Sequence, residues 1–538
     1  MAHSPLLSRR PGGRLAVALL GAACALGGAS RASAEDFDPL AGPLLAQESM
    51  DDLFESDGAA TDTPAEDEGA ATAPAEEAPT AEAPGATSPE PLATPTEEAA
   101  EPTTTDDLFA PAPAPSPETP EAAVAATPVA PRAPAVKVSG FVQNEMAYTV
   151  AEPDHLSKFR TRTKLRANGR LNDRVKWQLG GDFSYDPNFD FNQFYNRRVR
   201  NDQDIFAFID ETFLDIDAGA WDIRLGRQHI IWGEMVGLFF ADVVSALDLR
   251  EFVLPDFEMI RIPQWAARAE YFNGDFHADL IFVPYVTKNE LGKFGGDFFL
   301  FPVELPPGVD ARFREDKIPG EVGQDSGYGT RLSYLLNGWD MALFYYTAPD
   351  RQAAYERRLD ALAPVPALTF FPRHNRIHQV GATVAKDLGS VVLKAEAVET
   401  TDRAITMLPL ADLDGLEKSD ELRYVFGADW SGDGHNVNLQ FFQTWLQDHR
   451  PGMLFEEIES GFSVLLTTTR FGDDITPEIL WIRSLDRDEW LLEVKTTWNI
   501  SGHWRGVLGA DVFGGPPTGV LGQFEQRDRV YYELRYTF

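Results

Sequence analysis

The feature that most constrains this chain is a short run in which charge and grease alternate without a break. Lys158, Arg160, Arg162, Lys164 and Arg166 hold the even positions, and Phe159, Thr161, Thr163, Leu165 and Ala167 the odd ones. Five cations share one face at this spacing only on a β-strand, where successive side chains point to opposite sides. The same period recurs in 175–185, where Trp177, Leu179, Phe183 and Tyr185 alternate with Lys176, Gln178, Asp182 and Ser184. Leu422, Tyr424, Phe426, Ala428 and Trp430 alternate with Glu421, Arg423, Val425, Gly427 and Asp429, and Trp490, Leu492, Val494, Thr496 and Trp498 repeat the pattern. A soluble sandwich also alternates, but it buries its apolar face between two sheets. Strands of about ten residues with one apolar face, one polar face and Trp or Tyr at the ends match a membrane-spanning barrel. Beyond the first 34 residues there is no run of about 18 uncharged apolar residues, which excludes a helical membrane protein.

Connections sharpen this expectation. Short turns are predicted at Asn172-Asp173, Ala218-Gly219, Asn273-Gly274, Asn337-Gly338, Asp387-Leu388-Gly389, Ser431-Gly432-Asp433-Gly434, Gly472-Asp473-Asp474 and Ser501-Gly502. Asn-Gly is favoured in two-residue hairpins because both residues tolerate positive φ. Between the turns lie mostly longer, irregular stretches at 186–204, 232–262, 286–326, 349–375, 401–419 and 447–460. Short connections at one end and long ones at the other are how outer-membrane barrels are built. The expected fold class is therefore all-β: a transmembrane antiparallel up-and-down β-barrel over 137–538, with about 18 strands, or 16 as the fallback. An even count brings both barrel ends to the periplasmic side.

The remainder of the chain has a different character. Arg9, Arg10 and Arg14 precede an apolar run from Leu15 to Ala29, and Ala32-Ser33-Ala34 fits a cleavage site, so 1–34 reads as a Sec-type signal peptide cut after Ala34. Cleavage there removes the only Cys, Cys24, and with it thiol chemistry. Residues 35–136 are acidic and rich in Pro, Ala and Glu, with a single base, Arg132, and read as a disordered tether. Within it Asp51-Asp52-Leu53-Phe54 recurs as Asp106-Asp107-Leu108-Phe109, a candidate duplicated motif for a periplasmic partner, set against chance in a biased composition. With 84 acids against 47 bases and a net charge of −37, a basic nucleic-acid binder is excluded.

Two resemblances add to this reading. The last strand, Val530-Tyr-Tyr-Glu-Leu-Arg-Tyr-Thr-Phe538, puts Val530, Tyr532, Leu534, Tyr536 and Phe538 on one face and ends on an aromatic. It resembles the C-terminal signature of Gram-negative outer-membrane barrels, which implies recognition by the barrel-assembly machinery and residence in outer-membrane lipid. Leu225-Gly226-Arg227-Gln228, Trp232-Gly233-Glu234 and Asp242 through Asp248-Leu249-Arg250-Glu251 resemble a proteobacterial family of porin-like barrels of unassigned function, with Ala246 where that family carries Pro. That resemblance implies a barrel with a structured internal loop and supplies no catalytic residues.

A barrel this wide holds water or a plug. Parity nominates a basic lumen ladder, Lys158 to Arg166, and an acidic one, Glu211, Asp215 and Asp217, together with Arg224 and Gln228. One reading is a transverse field that selects small, chiefly anionic solutes; the other is a wall of structural ion pairs. Asp242 to Phe252 is expected to form a short amphipathic helix. Folded inward, 232–262 is a constriction loop presenting Glu234, Asp242, Asp248 and Arg250; folded outward, it is an extracellular loop. The leading function is a porin-like channel. The alternatives are an anchor for a periplasmic complex and a hydrolase sited at the barrel rim. No catalytic motif, cofactor loop or metal pattern is found, so an enzyme, a cofactor and a metal are not expected.

Overall fold

The computed structural model describes residues 136–538, apart from 236, 238–239, 301–307, 319, 361–365, 409–413 and 470–473. The signal peptide, the tether and the repeated Asp-Asp-Leu-Phe motifs lie outside the described residues.

Strands β1 (Lys137–Thr149), β2 (His155–Asn172) and β3 (Val175–Tyr185) open the sheet. Strand β4 is broken into Ile205–Ile209 and Thr212–Asp217, both halves pairing with β3. Next come β5 (Trp221–Gln228), β6 (Gln264–Asn273), β7 (Phe276–Tyr285), β8 (Gly327–Leu336) and β9 (Trp339–Pro349). They are followed by β10 (Arg376–Asp387), β11 (Val391–Thr406), β12 (Leu416–Gly432), β13 (His435–Leu446) and β14 (Ile458–Thr468). The sheet ends with β15 (Ile475–Ser484), β16 (Trp490–Asn499), β17 (Trp504–Gly514) and β18 (Arg529–Thr537). Every neighbour is antiparallel, and β18 pairs back onto β1 from Phe141↔Thr537 to Thr149↔Arg529, closing an 18-strand barrel. Closure leaves no free sheet edge, the condition for a β-structure to stand in lipid.

Parity sorts the two faces as the alternation predicts. Leu179, Leu343, Val380, Phe426 and Leu508 lie exposed on the outside, whereas Asp182, Glu396, Val425 and Asp511 are buried inside. Exposed Trp221, Trp339, Trp430, Trp498 and Trp504 ring the short-turn end, and Trp265, Trp445, Tyr285 and Tyr328 ring the other. These are the two aromatic girdles of a membrane-spanning barrel.

At Asn337-Gly338 and Asp433-Gly434 both central residues have positive φ, at 52° and 74° and at 52° and 75°, as a type I′ turn requires. The turn expected at Asn273-Gly274 is instead centred on Gly274-Asp275, because Asn273 still pairs with Phe276. The stretch 401–419 is mostly strand: β11 and β12 stay paired to Thr406↔Leu416, above a small apolar cluster of Ile405, Met407, Leu446 and Met453.

The 232–262 stretch folds inward, and the expected helix at Asp242–Phe252 does not form. Ala246–Leu249 is extended, pairing antiparallel with Arg261–Ile262 and parallel with Glu290–Leu291. The physical reason is burial on all sides. Val243, Val244, Ser245 and Ala246 are each at most 1 % exposed, so no polar helical face is left to meet water.

Candidate functional site

The segment joining β5 to β6, residues 229–263, crosses the lumen. At one end Ile230, Trp232, Ala241, Val243 and Val244 pack on Ile281, Val283, Phe344, Tyr346 and Val398 of the wall. At the other, Phe252 and Leu254 pack with Phe298, Phe524, Leu491 and Phe513, the last two on β16 and β17. Polar contacts fix it between these anchors. The Trp232 Nε1–H donates to Asp279 at 3.0 Å, and the amides of Met235 and Ala241 donate to Glu396 at 3.0 and 3.2 Å. Lys495 on β16 reaches Asp256 at 3.0 Å.

The basic ladder lies beneath this segment, and every member has a carboxylate partner. Lys158 and Arg160 contact Glu145 at 3.1 and 2.6 Å, Arg162 contacts Asp182 at 2.6 Å, Lys164 contacts Asp210 at 3.0 Å and Arg166 contacts Glu211 at 3.4 Å. Glu251 of the crossing segment contributes a further carboxylate. It ion-pairs with Lys158, and with Arg160 and Arg529 at 3.0 Å each. Burial pushes the Glu251 carboxyl up, but Lys158, Arg160 and Arg529 outweigh it and hold the group well below the usual carboxylate range. Glu251 therefore stays ionised at neutral pH and ties the crossing segment to β2 and β18.

The remaining predicted residues are distributed differently. Asp215 pairs with Arg224 on the next strand at 2.6 Å. Asp217 is exposed and accepts from the Gly219 amide at 2.9 Å, capping a turn. Glu211, Asp215 and Asp217 do not form a ladder facing the basic one across the lumen: β2 and β4 are separated by one strand, close enough for Arg166 and Glu211 to pair along the same wall. Gln228 is fully buried and donates to the Ala266 carbonyl at 3.1 Å, which makes it part of the wall. In the constriction loop, Asp242 pairs with Arg261 at 2.6 Å and accepts from the Gly233 amide, while Asp248 pairs with Arg250 at 2.6 Å. Those charges hold the segment's own shape. Glu234 lies 3.7 Å from Arg331.

Sequence reasoning passed over Glu145, Asp210, Glu251 and Asp256. Parity on β1 nominates Glu145, and Glu251 stands directly after Arg250, but nothing in the sequence tells which inner element meets which wall. Among the described residues, no three His, Cys, Asp or Glu side chains are grouped to hold a metal ion.

Solved structures similar to this chain include Acinetobacter baumannii OccAB2, at 11% identity over 75% of this chain and 98% of that one, with a TM-score of 0.46. Pseudomonas aeruginosa OpdK, solved with vanillate, matches at 9% identity over 75% and 98%, with a TM-score of 0.42. Salmonella typhi OmpF, solved with daunomycin, matches at 10% identity over 75% and 97%, with a TM-score of 0.39. No curated protein matches the chain. A family model spanning residues 158–538 does match, from β2 through the closing strand, and the chain belongs to that family, described as a protein of unknown function (DUF1302).

Proposed function

We propose that the protein is a plugged, porin-like channel of a Gram-negative outer membrane that passes small polar solutes, anions among them, when the crossing segment leaves the basic ladder. The observation that carries this reading is Glu251, a carboxylate of the inner segment rather than of the wall that ion-pairs directly with the ladder. With it in place, five ladder cations face Glu145, Asp182, Asp210, Glu211 and Glu251, and the track is neutral. With it withdrawn, Lys158, Arg160 and Arg529 keep only Glu145 and Asp511, a local positive excess in a confined aqueous path. Export by the signal peptide, cleavage after Ala34 and insertion through the terminal strand complete the reading. A second reading, in which the tether docks a periplasmic partner and the barrel is its anchor, rests on the repeated Asp-Asp-Leu-Phe motif.

Planar-bilayer conductance of Glu251→Gln against wild type tests the channel. The variant is expected to open more often, with a reversal potential under a salt gradient shifted towards anions. A folded variant with unchanged conductance and unchanged selectivity would overturn the proposal.

A further inference from the structure

Loops from around the barrel converge at the long-connection end on a cavity of about 250 Å³. Leu300 comes from the β7–β8 connection, Ala353 from β9–β10, Ile405 from the end of β11, Leu454 from β13–β14 and Val520 from β17–β18. The lining is mainly apolar, and its charged members are already engaged. Arg403 pairs with Asp350 at 3.3 Å and with Glu421, and Arg487 pairs with Glu459 at 2.9 Å and donates to the Thr518 carbonyl at 3.1 Å. The cavity is partly open to solvent and is walled by side chains from four connections and the end of β11. An apolar cavity of about 150 Å³ stays dry and takes up benzene, so this one has room for a larger body.

We propose that this cavity is a binding site for an uncharged or weakly polar small molecule whose apolar body is larger than a benzene ring, such as a fused bicyclic ring or a short acyl chain. The Arg403–Asp350 pair forms part of its lining. The selection is by shape and desolvation rather than by charge, since each nearby cation already has a carboxylate. The site does not depend on whether the lumen conducts.

The test uses the full-length protein in peptidiscs and the neutral fluorophore N-phenyl-1-naphthylamine, with the signal of empty peptidiscs subtracted. Saturable binding of about one probe per barrel is expected for the wild type. Ala353→Phe and Val520→Phe fill the cavity from two different loops, and each is expected to weaken binding by about tenfold or more, equivalent to about 1.4 kcal/mol. Heat-modifiable gel migration reports whether each variant folds. Absence of saturable binding by the wild type, or unchanged affinity in either folded filling variant, overturns the assignment.

Discussion

Three cations converge on the single carboxylate of Glu251, whose side chain is 12 % exposed. Buried charges of this kind hold a structure less by their net attraction than by the penalty of leaving one unpaired, about 3–5 kcal/mol when one partner is removed. Asp186 shows the opposite balance. It is buried and accepts from the amides of Phe159 and Asn188, yet burial outweighs those bonds and pushes its carboxyl up to about 6. A carboxyl raised above its unfolded value of about 3.9 contributes stability that is fully present below that value. The contribution is lost as pH rises through the folded value of about 6. Asp186→Asn should therefore gain on wild type as pH rises from about 4 to 7, by up to about 2–3 kcal/mol at one pKa unit per 1.4 kcal/mol. Urea midpoints measured across that range check it; a difference that does not change with pH counts against the assignment.

At the scale of the element, the inner segment explains why parts of the lumen wall are apolar. Ile281, Val283, Phe344 and Tyr346 point inward, where a water-filled barrel would carry polar groups, because Trp232, Val243 and Val244 cover them. The segment is strand rather than helix because its neighbours, Arg261–Ile262 and Glu290–Leu291, offer backbone partners inside the barrel and satisfy groups that water does not reach. Removing 238–252 takes away Asp242, the strand Ala246–Leu249 and Glu251 together. Sugar flux in liposome-swelling assays should rise for this deletion, and the size limit for the solute should increase. Flux equal to wild type from a folded barrel would show that the segment does not restrict the pore.

Across the whole molecule, closure and orientation follow from one pairing. The Gly140 amide donates to the Phe538 carbonyl and the Phe538 amide to the Gly140 carbonyl, both at 2.9 Å, so the two ends of the barrel meet on the short-turn side. The barrel therefore begins at Lys137 on the same side as the closing strand ends. Phe54→Ala with Phe109→Ala in the full-length protein should remove periplasmic partners from crosslinked pull-downs and leave single-channel conductance at the wild-type value. Retained partners would sink the docking motif, and an altered conductance would show that tether and lumen are coupled.

Alternation along the chain is enough to specify the barrel. Lipid admits only one face of a strand, so the alternation of Lys158 to Arg166 with Phe159 to Ala167 settles which side is which, and Asn337-Gly338 and Asp433-Gly434 fix where the chain turns. That information is local, with a period of two residues, and a single chain displays it openly. The partners of the ladder, by contrast, are set by contacts between distant parts of the chain. Glu145 stands 13 residues from Lys158 in the chain, while Arg529 stands 278 from the Glu251 it binds, and no local pattern encodes a meeting across a closed barrel. For the same reason the periodicity of 242–252 suits an amphipathic helix that does not form: buried on all sides, its conformation is set by the strands it meets and not by its own periodicity.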